Sequence, residues 1–336
     1  MVELLKQLCL LDATSGDEEA VRNFIISKIS GFCEYKTDNL GNIICFKKGK
    51  EKPSKKVMLD AHMDEVGLII SSITNEGFLK FKTVGGIDVS ALMFRQVKIA
   101  GKINGVIAGK PIHLLDSEQR KKLPKADSLY IDIGAQSKQQ ALEMVALGDR
   151  AVFQSDFIVT GDMIKGKAID DRIGCAVLIK LLQSEAKYDF YASFSVQEEI
   201  GLRGAKTAAY SINPDSALVI EATTAADIAG VPQDKNVCNL GKGVAVSFMD
   251  NATVYDKNYY NSALNSGISC QPKRAVTGGN NSGSVHLSRE GIRTLALSLP
   301  CRYIHSSSCV ANLKDCQSLF DLTQYMLLGI CDGSIK

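Results

Sequence analysis

The sequence has 336 residues, enough for one large core or two unequal domains, and its 45% hydrophobic and 23% charged content lies near globular averages, which excludes disordered and fibrous classes. A balance of 39 Lys and Arg against 37 Asp and Glu gives a formal charge of +2, with the basic residues dispersed apart from short groups such as Lys47–Lys48 and Arg120–Lys122. Neither nucleic acid nor a membrane is therefore an expected partner. Ten cysteines spread from Cys9 to Cys331 without a C-x-x-C pair, no signal-type stretch after Met1-Val2-Glu3, and no run of about 18 apolar residues together predict a cytoplasmic chain with free thiols.

Along the chain, Val2, Leu5, Leu8 and Cys9 recur at helical spacing. Ser15-Gly16-Asp17-Glu18 then offers a capping box to a second amphipathic helix through Val21, Phe24, Ile25 and Ile29. From Val57 onward, apolar runs alternate with helical patterns: Val57–Ala61, Ile173–Leu182, Phe190–Val196, Ala205–Tyr210 and Ala217–Ile220. That alternation predicts an α/β layered fold. Between about Ser72 and Asp162 the texture changes, because Gly85-Gly86, Gly101, Gly105 and Gly109 punctuate short runs at Phe78–Val84, Arg95–Ile99 and Leu129–Ile133. A small β-rich unit, residues 72–162, is thus expected inside an α/β domain made of 1–71 and 163–336. Thr294–Leu299 reads as a further strand and Asn312–Leu328 as a closing helix.

Four apolar runs end in, or soon lead to, a residue able to bind a metal. Val57–Ala61 leads into His62-Met63-Asp64, Phe190–Val196 into Gln197-Glu198-Glu199, Ala217–Ile220 into Glu221, and Thr294–Leu299 is followed within six residues by His305. Ligands of open α/β sheets bind outside the carboxyl ends of the strands, so these endings can converge on one crevice. Charges that close a buried strand also need compensation, by a metal or a partner. Asp170, at the mouth of the helix from Ile173, is a fifth candidate, since a carboxylate is favoured at a helix N-terminus. His113 and His286 have no comparable neighbours and are read as structural.

Leu59-Asp60-Ala61-His62-Met63-Asp64-Glu65-Val66-Gly67, Ala168–Gly174, Val196–Ala205 and Arg302-Tyr303-Ile304-His305-Ser306 resemble the tetrahedral (TET) aminopeptidases, the glutamyl aminopeptidases and relatives once labelled cellulase M. The resemblance spans nearly the whole chain and implies an α/β/α layered catalytic domain of zinc-peptidase type. It makes His62 and Glu221 ligands of one ion, Glu199 and His305 ligands of a second, and Asp170 the bridge. Asp64 is expected to accept a hydrogen bond from His62, and Glu198 to serve as general base toward a water shared by two divalent ions, zinc first, with cobalt or manganese as alternatives. Peptides with a free N-terminus are the implied substrates. Residues 72–162 are implied to be a dimerisation domain, with dimers assembling to a tetrahedral dodecamer.

Two positions depart from the family pattern: Asn281 stands where an acid is common, and Glu221 where many relatives carry Asp. A glycosidase needs two carboxylates flanking a sugar and no paired histidines, and the chain has no Trp for sugar stacking. A non-catalytic assembly or metal-binding protein would not need Glu198, which is present. A deacylase of related type differs in accepting N-blocked substrates.

Overall fold

In the computed structural model, which describes residues 1–336, strands β1 (Glu34–Thr37), β2 (Ile43–Lys47) and β3 (Val57–His62) begin a large sheet. The next six strands leave it: β4 (Gly67–Ile73), β5 (Leu79–Val84), β6 (Gln96–Ile99), β7 (Ile103–Ala108), β8 (Tyr130–Asp132) and β9 (Arg150–Phe153) close into a separate barrel. The chain then returns through β10 (Ile158–Thr160), β11 (Met163–Gly166), β12 (Phe190–Ser195), β13 (Ser216–Thr224), β14 (Val244–Val246), β15 (Cys270–Pro272), β16 (Arg293–Arg302) and β17 (Cys309–Asn312).

The large sheet runs β1-β2-β12-β3-β13-β16-β17-β11-β10, with β14 beside β16 and β15 beside β14. Its centre, β12-β3-β13-β16, is parallel, and its flanks are antiparallel. Parallel strands need helical crossovers, which cover both faces and bury both sets of alternating side chains. On β3, Val57, Leu59 and Ala61 face the main core with helices Val2–Cys9, Glu19–Ile29, Ile169–Gln183 and Leu313–Asp332. Met58 faces the other way, with Ala205, Ala208 and Ala209 of the helix Arg203–Ile212 and Val285 of the short helix Ser282–Val285. The result is a three-layer α/β/α body. No helix is long and apolar enough to cross a membrane.

The barrel has its own core, in which residues two apart on each strand point inward: Leu68 and Ile70, Leu79 and Phe81, Val97 and Ile99, Ala151 and Phe153. Its strands start at Gly67 and end at Phe153, while β10 already belongs to the large sheet. The change of texture read at 72 and 162 is displaced from these points because the buried run Val66-Gly67-Leu68 passes from one body to the other with no turn residue other than a glycine in extended structure.

The expected capping box does not form. The helix Glu19–Ile29 has Glu18 at its N-cap and no side-chain cap. Ser15 instead donates to the Asp64 carboxylate (Oγ–Oδ2, 2.6 Å), and Glu18 accepts from the backbone of Gly16 and Gln197. A buried carboxylate is a stronger acceptor than anything a helix end offers a serine, so the long-range partner prevails.

Candidate metal centre

β3 ends on His62, which lies level with Ser195 at the end of β12. Beyond Ser195 the chain turns at Gln197 (φ 56°) and presents Glu198 and Glu199. On the other side of β3 the register pairs Val219 with Asp60, which brings Glu221, two residues on, to the level of His62. His305 follows β16 on a loop in which Tyr303 and His305 both take left-handed dihedrals (φ 59° and 58°). Asp170 enters from the start of the helix Ile169–Gln183, where its dihedrals and those of Asp171 are not helical.

Asp170 stands between the two histidines. Its Oδ1 is 3.3 Å from His62 Nε2 and its Oδ2 is 3.3 Å from His305 Nε2. Glu221 Oε2 lies 3.6 Å from His62 Nε2, and Glu199 Oε1 lies 3.3 Å from His305 Nε2. The cluster therefore has two halves that share one carboxylate. Glu198 sits over the first, its Oε2 4.0 Å from His62 Nε2. The extra methylene of Glu221 does not keep it out of reach. His113 and His286 stay apart: His113 is exposed on the barrel, and His286 Nδ1 lies 2.7 Å from the Ser282 carbonyl.

The remaining nitrogen of each histidine meets a backbone carbonyl, an arrangement that fixes the proton on Nδ1 and frees Nε2 toward the acids. For His62 the nearer partner is the carbonyl of Asp64 at 3.0 Å, with the Asp64 carboxylate 3.4 Å away. For His305 it is the carbonyl of Gly86, at 2.8 Å, which belongs to the barrel. The Asp64 carboxylate is occupied elsewhere: it accepts from Ser15 and from the backbone amides of Glu198 (3.0 Å) and Glu199 (3.1 Å), and so holds the two adjacent glutamates in place.

Ligand-capable atoms of His62, Asp171 and Glu221 lie within 4.8 Å of one another, and so do those of His62, Asp170 and Glu199. Asp171 is nevertheless spoken for, since its oxygens accept from the amides of His62 (3.2 Å) and Gly174 (2.9 Å). Asp170 Oδ1 and Glu221 Oε1 are buried with no hydrogen-bond partner. Burial pushes the Glu221 carboxyl up to about 7 against the attraction of His62, and pushes Glu198 well above the usual carboxylate range, with Glu221, Glu199 and Asp170 adding repulsion. Burial would deprotonate His305, yet Asp170 and Glu199 outweigh it and push the ring up to about 11. Four carboxyl groups, of Asp170, Glu198, Glu199 and Glu221, thus crowd two imidazoles on the pocket wall, and two of their oxygens are orphaned. Those residues fit divalent cations, for which His nitrogens and carboxylates are suitable donors.

Asn281 proves to lie behind this cluster. It is fully buried and donates to Asp60 Oδ2 (2.8 Å) and Ser195 Oγ (2.9 Å), while Ser193 donates to the other Asp60 oxygen. Burial pushes the Asp60 carboxyl up to about 6, against the hydrogen bonds it accepts from Ser193, Asn281 and Ser195, which favour its ionised form. An amide at 281 thus gives a buried acid a donor, two residues before His62, and does not face the cleft. Sequence reasoning missed this network, the grip of Asp64 on the two glutamates, and Gly86. Only the first carried a signal, in the polar residues interrupting β3 and β12.

The centre opens into a cleft of about 520 Å3 whose walls also include Leu202, Thr223, Thr224, Val237, Lys273 and Asn280. A family model described as M42 glutamyl aminopeptidase matches residues 41–322. A protein of Acetivibrio thermocellus provisionally named an aminopeptidase is 38% identical, covering 94% of each chain. The lysyl aminopeptidase of Pyrococcus furiosus is 29% identical (97% of this chain, 96% of that one), and the glutamyl aminopeptidase of Lactococcus lactis 30% identical (94% and 92%). Among solved structures, the TET aminopeptidase of Thaumarchaeota archaeon SCGC AB-539-E09 superposes with a TM-score of 0.94 at 34% identity, over 99% of this chain and 97% of that one. A Pyrococcus horikoshii TET1 peptidase described as assembling into a tetrahedron or a large octahedral shell gives 0.85 at 34% identity, over 97% and 98%.

Proposed function

The chain belongs to the M42 glutamyl aminopeptidase family and is a metal-dependent aminopeptidase, and on that premise we propose that His62 and Glu221 hold one divalent ion, Glu199 and His305 a second, and Asp170 both. The observation that carries this reading is the two-sided placement of Asp170, with one oxygen toward each histidine at 3.3 Å. When bound, such ions supply Lewis-acid polarisation of the scissile carbonyl and lower the pKa of a water. Glu198 then accepts a proton from the water that adds to the scissile carbon. It delivers that proton to the amine nitrogen as the C–N bond breaks, leaving a carboxylic acid and a shortened peptide. Asp64, by holding the amides of Glu198 and Glu199, keeps the proton carrier and its neighbour from exchanging places.

Zinc is the first choice, with cobalt and manganese compatible with the same donors. The test is a panel of aminoacyl chromogenic substrates assayed on chelated protein reloaded with each ion, alongside the metal content. Two equivalents per chain and restored hydrolysis are expected; no hydrolysis with any ion defeats the reading.

We place the barrel, which makes up most of the 72–162 region read from the sequence, as a dimerisation domain of a homo-oligomer, up to a dodecamer, in the cytoplasm. Supporting this are the apolar residues that the barrel region leaves exposed, such as Phe94, Ile112 and Leu123, and the assemblies described for the Pyrococcus horikoshii relative. Ten free thiols support a reducing compartment. Light scattering on the eluted protein measures the assembly directly, and a monomer would exclude it.

A further inference from the structure

We infer that Cys33 and Cys45 are a redox modification site: hydrogen peroxide oxidises Cys33, Cys45 resolves the product to a reversible disulfide, and the bond fastens the edge strand β1 to the large sheet. β1 pairs antiparallel with β2, with Tyr35 opposite Cys45 and Glu34 opposite Phe46. Carried one residue back, that ladder sets Cys33 beside Lys47 and diagonal to Cys45, and residues two apart on a strand share a face. Cys33, Cys45 and Lys47 therefore meet on one face of the hairpin. There the two free thiols hydrogen-bond to each other, and Cys33 Sγ also lies 3.9 Å from the Ile29 carbonyl, at the end of the helix Glu19–Ile29.

The two thiols differ as an attacking and a resolving sulfur must. Cys33 is partly exposed, just before a strand whose four residues are all exposed, whereas Cys45 is fully buried. The hydrogen bond from Cys45, with the Lys47 charge in support, holds Cys33 below the ordinary thiol range against its partial burial. The same bond, together with burial, holds Cys45 well above that range, so Cys45 keeps its proton. Lys47 is fixed there by carbonyls: its Nζ donates to Phe32 (2.9 Å) and Leu182 (2.7 Å), which leaves its charge to act on the thiolate. A thiolate within reach of solvent, beside a cation and a second thiol, is the arrangement that oxidants select.

None of the other cysteines combines these features. Cys301 and Cys309 also hydrogen-bond to each other, but they are 0% and 1% exposed. Cys270 is partly exposed, yet its thiol donates to the Ala263 carbonyl and burial pushes it up. The rest are buried.

In the first step the Cys33 sulfur takes one peroxide oxygen, the O–O bond breaks, and one water leaves behind a sulfenic acid. The Cys45 sulfur then attacks the sulfenic sulfur, and its proton departs with the hydroxyl as a second water. Two thiols have lost two electrons and two protons, and a dithiol reductant returns them. The bond closes residues 33–45 into a ring around β1, which has β2 as its only ladder partner. Such an edge is among the first parts of a sheet to open, and the ring limits how far it can.

The experiment treats full-length protein loaded with zinc, which has no redox chemistry of its own, with a small excess of hydrogen peroxide. Remaining thiols are alkylated and all ten cysteines mapped by mass spectrometry. A linked Cys33–Cys45 peptide should form at least about 10-fold faster than any other cysteine oxidises, and vanish with dithiothreitol. Cys45→Ala should stop the reaction at a sulfenic acid on Cys33 that dimedone traps, and Cys33→Ser should leave Cys45 reduced. Should Cys45→Ala not fold, the wild-type map and Cys33→Ser decide the pairing. With the bond formed, the melting temperature should rise by about 3–6 °C and hydrogen exchange across residues 34–42 should slow, both reversibly. Cys33 and Cys45 still reduced after other thiols have reacted, or Cys33 overoxidised with Cys45 untouched, overturns the pairing. A bond that leaves melting and exchange unmoved overturns the fastening of β1.

Discussion

His62 and Glu221 leave strands buried on both faces, with 1% and 5% of their side chains exposed, whereas His305 stands on a loop beyond β16 with 32% exposed and takes its orientation from the barrel. The first half of the centre is fixed by sheet register: shifting β3 against β13 would disrupt every pair of the ladder. The second is fixed by a docking contact between two separately cored bodies. Two half-sites with similar donors are thus held by supports of unequal stiffness. The deep half should bind its ion more tightly and release it last.

The strongest challenge to that contrast is Asp170→Ala, which removes the carboxylate common to both halves. Metal content after gel filtration should fall from two equivalents to none, with hydrolysis abolished; two retained equivalents would mean that the halves are independent. Glu198→Gln should touch neither half. We expect kcat to drop on the order of 10²–10⁴-fold with both equivalents kept, and a loss of metal would reassign Glu198 as a ligand. Gly85→Ala separates the halves directly. Gly85 has φ 84°, and a Cβ there would lie 2.8 Å from Val66 Cγ1 and 3.2 Å from Glu199 Cβ, next to the carbonyl that orients His305. One equivalent should bind roughly 10- to 100-fold more weakly in calorimetric titration, as for loss of other supports to metal ligands, while the other is unchanged. Equal weakening of both would erase the contrast.

The smallest effect is expected at Asn281→Asp, behind the deep half. Replacing the donor with a second carboxylate facing Asp60 should lower stability by about 1–3 kcal/mol near neutral pH, read as a lower melting temperature with metal content kept. A variant as stable as the wild type would show that the Asp60 network does not support β3.

Legibility in the sequence followed the same division. The residues of the deep half could be found because apolar runs ending in His62 and Glu221 are strand ends by composition, and strand ends of a parallel sheet converge. Asp170, Glu198, Glu199 and His305 needed the motif resemblance as well, since acids and a loop histidine are ordinary surface residues by type. Gly86 acts through a carbonyl, which every residue has, so no residue type announces it. Ser15 was read as a cap because local spacing favours one; the carboxylate that accepts its hydrogen bond is 49 residues away.

The carbonyl of Gly86 has an evolutionary consequence. An oxygen of the main chain cannot be exchanged by substitution, so the barrel can drift across its surface and remodel whatever it packs against without altering the group that orients His305. What must persist is the path of the turn, and Gly85, with its positive φ and its closeness to Val66 and Glu199, is where that path is exposed to mutation. The inserted body is free to diversify in every direction but removal: a descendant that shed it would keep the deep half of the centre and leave its last histidine without a hold.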